Sequence, residues 1–183
     1  AQWRRDQVSD LVARVYKTVK AEKPSVTFGI SPQGYFGNLR SDTQVFADID
    51  RWLTQDGFVD YMMPQLYWGF EAKTSDGSPA SFAFTANLKS WTDLVKKGHA
   101  KLYLGLAMYR AGTNVSDHNT VSEWLSHDDI ISRQVLAGRA GGAVSGYCFY
   151  SYESFLETAA QKEKNNLLSE TLKMGGKYGK RKQ

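Results

Sequence analysis

The sequence predicts an α/β protein of parallel (β/α) repeats, on three observations. Apolar stripes at helical spacing alternate with short β-branched or aromatic runs, the pattern returns four times, and the runs are apolar throughout rather than alternating with polar residues. Strands covered on both faces read that way, and a parallel neighbour needs a crossover of a dozen or more residues, which helices supply. With 183 residues, 42% of them hydrophobic, the chain is long enough to bury one core, expected over residues 1–173.

The elements follow in order. Between Trp3 and Glu22, Val8, Leu11, Val12, Val15 and Val19 recur at three- and four-residue spacing, so they share one stripe of a helix that Lys23-Pro24 stops. The run VTFGI (26–30) reads as the first strand, cut off by Pro32, which has no N–H for a sheet ladder. Ser41 with Gln44 resembles a capping box opening a second helix, with Val45, Phe46, Ile49, Trp52 and Leu53 on its apolar face. Gly57 ends it, and VDYMM follows as the second strand. Leu88, Trp91, Leu94 and Val95 mark a third helix, ended at Gly98, before the strand KLYLGLAMY. Ser126 and Asp129 suggest a further capping box ahead of Ile130, Ile131, Gln134 and Val135, then Gly141-Gly142 and the strand VSGYCFYSY. A last helix is expected from about Ser154 to Lys173. Strands thus begin near residues 26, 59, 101 and 144.

Composition narrows the function classes. The formal charge of +4 is owed to Lys177, Lys180, Arg181 and Lys182, so the rest of the chain sums to zero. Residues 174–183 read as a basic, solvated tail, and no nucleic-acid partner is expected from it. The single cysteine, Cys148, sits in the apolar run GYCFY and is expected to be a packed thiol. No apolar run approaches about eighteen residues and no leader pattern opens the chain, so no transmembrane segment is expected.

In parallel sheets the ligand site lies beyond the carboxyl ends of the strands. Those ends read Ser31-Pro32-Gln33-Gly34-Tyr35, then Pro64 to Glu71, then Met108-Tyr109-Arg110, then Tyr150-Ser151-Tyr152-Glu153. Pro-Gln recurs 32 residues apart, as though one geometry were used twice. Gly29, Gly34 and Gly37 form neither a phosphate loop nor a dinucleotide fingerprint, so no cofactor is expected and a flavodoxin-like reading has little support. His99, His118 and His127 show no ligand spacing and are expected to be solvated, so no metal is expected. Ser31 and Ser151 lack a nucleophile elbow.

Aromatic faces and amides suit carbohydrate, whose rings stack on the former and whose hydroxyls bond the latter. Ser31, Gln33, Gln65, Tyr67, Trp68, Tyr109 and Tyr150 are the candidate binding residues, although any one ring could simply pack the upper core. Gln65 presents an amide whose donors and acceptor require partners, either a ligand hydroxyl or another strand-end group. Glycoside hydrolysis needs two carboxyl groups flanking the bond. Glu71, three residues beyond Trp68, is the first candidate, and it fits an ordinary loop acid as well; Glu153, Asp42, Asp76 and Asp117 are further off. Asp60 opens its strand and so belongs to the opposite, structural end.

The segments WRRDQVSDLVARVYKTVKAEKPSVTFGISPQG, DGFVDYMMPQLYWGFE, KLYLGLAMYRAG, EWLSHDDIISRQV and SGYCFYSYESF, in this order, resemble the bacterial glycosyl-hydrolase-like family of (β/α)8-barrel proteins. That resemblance spans nearly the whole chain. It implies a TIM-type barrel of which this chain is the C-terminal half, an envelope-associated or extracytoplasmic setting, and action on cell-wall glycans such as peptidoglycan. It also places Ser31, Pro32, Gln65, Tyr67 and Trp68 at the sugar-binding mouth with Glu71 nearby; Gln33 stands where the family often has an apolar residue. A barrel of this type needs about 250 residues, so four units cannot close one. The resemblance implies that the strand preceding WRRD carries catalytic carboxylates. Four strands with unpaired first and last edges are expected to seek a missing N-terminal half-barrel, to self-associate, or to flatten into an open sheet. The rival reading is a non-catalytic carbohydrate-binding module or degenerate barrel.

Overall fold

The computed structural model describes residues 1–115 and 122–173. Asp117, His118 and the basic tail 174–183 lie outside the described residues. Four parallel strands form one sheet in the order β1-β2-β3-β4: β1 Gly29–Ile30, β2 Tyr61–Met62, β3 Lys101–Leu106 and β4 Val144–Phe149. Helices α1 Gln2–Glu22, α2 Phe36–Leu39, α3 Ile49–Thr54, α4 Phe84–Val95, α5 Glu123–Ser126, α6 Ile130–Ala140 and α7 Gln161–Lys173 alternate with them. Parallel neighbours in sequence order, each joined by a helical crossover, are the arrangement of part of a (β/α)8 barrel. No described helix is long and apolar enough to cross a membrane.

The two short strands are short because of proline. Pro32 and Pro64 cannot donate, yet each still gives its carbonyl to the next strand: Gln65 N–H donates to Pro32 O and Gly105 N–H to Pro64 O, both at 2.9 Å. Single-residue pairings Gln33 to Gln65 and Gln65 to Gly105 extend the sheet beyond each proline. The repeated Pro-Gln is therefore one backbone geometry used twice, and it carries Gln65 to the middle of the sheet's carboxyl edge.

The core lies between the sheet and its helices. Met62, Leu102, Leu104 and Leu106 face Leu53, Trp91, Ile131 and Val135, all nearly inaccessible. Burying each such side chain contributes on the order of 2 kcal/mol. Two indole tips inside this layer are satisfied: Trp52 Nε1 donates to Ser9 Oγ at 2.9 Å, and Trp91 Nε1 to Gly34 O at 2.7 Å. Asp60 is structural, as its position at the strand start implies. It accepts from Phe28 N–H at 2.6 Å and Tyr16 Oη at 3.2 Å, and pairs with Lys20 at 2.7 Å, so it ties β2 to α1 and to the approach of β1.

Several local expectations are corrected. The capping box at Ser41 does not form: Ser41 Oγ turns to Thr43, residues 42–45 make a turn, Phe46 has φ +51°, and the true cap is Asp48, which accepts from Arg51 N–H at 3.2 Å. Ser126 caps nothing; it ends α5, and Asp129 opens α6 without a side-chain cap bond. The last helix starts at Gln161, after two single 3-10 turns, rather than at Ser154. On α1, Val12 is buried but Leu11 and Val15 stay exposed. Cys148 is exposed rather than packed, because it lies on the concave face of the sheet, away from the helices.

Candidate functional site

The concave face of the sheet holds two cavities that share Met63. One, of about 470 Å³, lies at the amino end of the strands beside Asp60, Tyr61, Lys101 and Tyr103. The other, of about 440 Å³, lies at the carboxyl end and is lined by Ser31, Met63, Gln65, Tyr67, Gly105, Cys148 and Tyr150. The second is the candidate functional site, because parallel strands carry their function-bearing loops at that end, whereas Asp60 at the first is consumed in holding the strands together.

Three tyrosines form one side of this site. Tyr67, Tyr109 and Tyr150 follow β2, β3 and β4 respectively; Tyr67 stacks on Tyr150 with centroids 6.2 Å apart and meets Tyr109 edge-on at 5.9 Å, and Tyr109 meets Tyr150 edge-on at 6.0 Å. The backbones of Tyr109 and Tyr150 are locked by Tyr109 N–H to Tyr150 O and Tyr150 N–H to Leu106 O. Tyr150 remains 60% exposed and Tyr109 43%, so the rings present open faces. Partial burial pushes the Tyr67 hydroxyl above its ordinary range, keeping it a neutral donor.

Gln65 stands on the floor, and its amide is oriented by Nε2 donating to Ser31 O at 3.2 Å. That bond occupies one donor position of an amide with four hydrogen-bonding sites. Gly34 lets the first strand end pass against it: a Cβ there would lie 2.4 Å from Gln65 O. No charged side chain lines the cavity among the described residues.

The structure therefore brings together Ser31, Gln65, Tyr67, Tyr109 and Tyr150. Gln33 and Trp68 stand outside the lining: Gln33 Oε1 accepts from Asn38 Nδ2 at 2.8 Å, and Trp68 packs on Phe82 beside Ala72, Ala80 and Ala83. Glu71 is exposed, 3.9 Å from His127 Nε2. Glu153 is exposed and accepts from Ser151 Oγ, Asp42 pairs with Arg5, and Asp76 closes the 74–78 turn. His99 and His127 are both exposed.

Sequence reasoning missed Cys148 in the cavity lining and Glu123 beneath the loop after β2. Glu123 is 6% exposed, and its Oε1 accepts from Glu71 N–H at 3.0 Å. Burial pushes its carboxyl above the ordinary range, opposed by the amides of Glu71 and Phe70. The only sequence signal was an acid beside the apolar pair Val121 and Trp124, which marks burial without saying against what.

Similarity to known proteins agrees with this geometry. The family profile described as glycosyl hydrolase-like 10 matches residues 1–124. "Glycosyl hydrolase DigH" of Escherichia coli (strain K12) is 38% identical over 124 aligned positions, covering 61% of this chain and 26% of that protein. "Glycosyl hydrolase YngK" of Bacillus subtilis (strain 168) is 32% identical over 164 positions, covering 81% of this chain and 29% of that protein. The chain thus spans between a quarter and a third of the length of these relatives. A parallel (β/α) sheet, an aromatic carboxyl-end cavity and a matching profile over most of its length make this chain a member of the glycosyl hydrolase-like 10 family.

Proposed function

We propose that this chain is the glycan-binding part of a glycoside hydrolase-like barrel, its C-terminal half, acting on a polysaccharide or peptidoglycan-type glycan. The observation that carries this reading is the neutral cavity lined by Gln65, Tyr67 and Tyr150, with Tyr109 packed edge-on against both tyrosines at its side. Stacking faces beside an oriented amide suit a pyranose better than a phosphate or a carboxylate. Binding is expected to weaken about tenfold in Gln65→Leu and at least as much in Tyr150→Ala, read by calorimetric titration with isolated peptidoglycan glycan strands. Unchanged affinity in both variants would overturn the reading.

Hydrolysis of the whole protein's substrate would use a carboxyl acid and a second carboxylate. Glu71 is the proposed contribution of this chain. The rest of the machinery, together with the strands that close the barrel, is proposed to come from a further half, whether part of a continuing chain or a second copy. An extracytoplasmic or cell-envelope setting belongs to the same proposal. One observation favours a second reading, that of a carbohydrate-binding or degenerate module: no carboxylate lines the cavity among the described residues. Glu71→Gln separates the two, since a pure binder shows no turnover for it to abolish. A monodisperse monomer by light scattering would count against the closing half being a second copy.

A further inference from the structure

We propose that Glu123 and Gln134 are positioning residues for this site, acting through the backbone of the loop that follows β2; the inference rests on the glycan-binding reading of that loop. Three of the four residues 68–71 of the loop are each tied to a different helix. Gln134 of α6 donates through Nε2 to Trp68 O at 3.0 Å, Phe84 N–H at the start of α4 donates to Gly69 O at 2.9 Å, and Glu71 N–H donates to Glu123 Oε1 of α5 at 3.0 Å. Between them Phe70 is wedged against Phe84, ring centroids 5.0 Å apart, with Arg133 4.5 Å over its face. The segment emerges from Gln65 and Tyr67, so whatever fixes residues 68–71 fixes the angle at which Tyr67 meets Tyr109 and Tyr150.

Two features separate this arrangement from ordinary packing. Gln134 is fully buried and Glu123 nearly so, yet Gln134 Oε1 and Glu123 Oε2 find no hydrogen-bond partner among the described residues. A well-packed apolar side chain at either position would avoid the cost of those unmet groups, so what the polar groups add is the placing of two loop backbone groups. The second feature is the fit at Gly69: a Cβ there would lie 1.4 Å from Glu123 Oε1, so with the carboxyl held where it is the loop runs hard against it and has no room for a side chain at this position. Glu71, Arg133 and His127 are the charged or titratable groups that face this carboxyl or its loop.

The test uses the full chain and two readouts: hydrogen exchange at the Glu71 amide, and affinity for isolated peptidoglycan glycan strands. Glu123→Leu removes the acceptor while filling the space; Glu71 exchange is expected to rise about tenfold over the surrounding core and affinity to fall about fivefold or more. Glu123→Gln keeps an acceptor oxygen and should hold both within twofold of wild type. Gly69→Ala supplies a further check, expected to disrupt the loop in the wild-type background and to be tolerated beside Glu123→Ala, where the collision is gone. If Glu123→Leu alters melting temperature alone, leaving Glu71 exchange and affinity unchanged, the positioning role is overturned. If wild type binds no glycan strand, the glycan reading fails by itself, and Glu71 exchange still decides whether Glu123 holds the loop.

Discussion

Glu163→Gln should remove a pH dependence of stability that the buried carboxyl of α7 imposes. Glu163 is 2% exposed and reaches across to the start of α6, where Ser132 N–H donates to its Oε1 at 3.0 Å. Burial pushes its carboxyl from 4.5 to about 7, with the amides of Ser132, Ile130 and Ile131 opposing the rise and Asp129 adding to it. A folded-state value above the unfolded one means that this group's stabilising contribution is complete below about pH 4.5 and is lost as pH rises through 7. At 1.36 kcal/mol per unit, the loss amounts to about 3 kcal/mol. Glutamine keeps an acceptor for Ser132 N–H and carries no charge at any pH. Urea unfolding of both proteins from pH 4 to pH 8.5, followed by circular dichroism, should show the variant gaining about 3 kcal/mol on the wild type across that range. A difference that stays flat with pH would refute the reasoning.

Other perturbations probe the frame. At Asp60, burial pushes the carboxyl up, but Lys20, the Phe28 amide and the Tyr16 hydroxyl outweigh it and hold the group below its ordinary range. Its contribution is therefore present at neutral pH and lost as pH falls below about 3.8, and Asp60→Asn should cost about 1–3 kcal/mol at pH 7 in chemical denaturation. Gly34→Ala would place a methyl against Gln65 O and should cost about 2 kcal/mol, with the amide resonances of Gln65 shifted. Cys148, exposed in the cavity lining, should react with a maleimide in the folded protein, and bound glycan strands should slow that reaction several-fold; equal rates with and without glycan would place the sugar elsewhere.

The register of the fold was legible because each strand here is a short apolar run fenced by proline, glycine or a helical stripe. The expected starts near 26, 59, 101 and 144 compare with observed strands at Gly29, Tyr61, Lys101 and Val144. The strand-end tyrosines were legible for the same reason, since parallel strands in sequence order bring their carboxyl ends to one edge. What failed were local signals that tertiary structure overrode. Ser41 and Gln44 carry the spacing of a capping box, yet Arg5 takes the carbonyls of Arg40 and Ser41 and pairs with Asp42, holding that stretch as a turn. Cys148 reads as core from its neighbours, but the four strands form an open concave face on which it stays accessible. Glu123 could not be foreseen as a partner of Glu71, because 52 residues separate them and only packing of α5 under the loop joins them.

The most direct measurement is a residue-resolved titration of the isotope-labelled protein with peptidoglycan glycan strands, following ring and amide signals on both halves of the concave face. The expected result is saturable shifts at Gln65, Tyr67, Tyr109 and Tyr150, with Tyr61, Lys101 and Tyr103 unmoved. Shifts confined to the Asp60 end, or none at any glycan concentration, would contradict a saccharide site at the carboxyl ends of these strands.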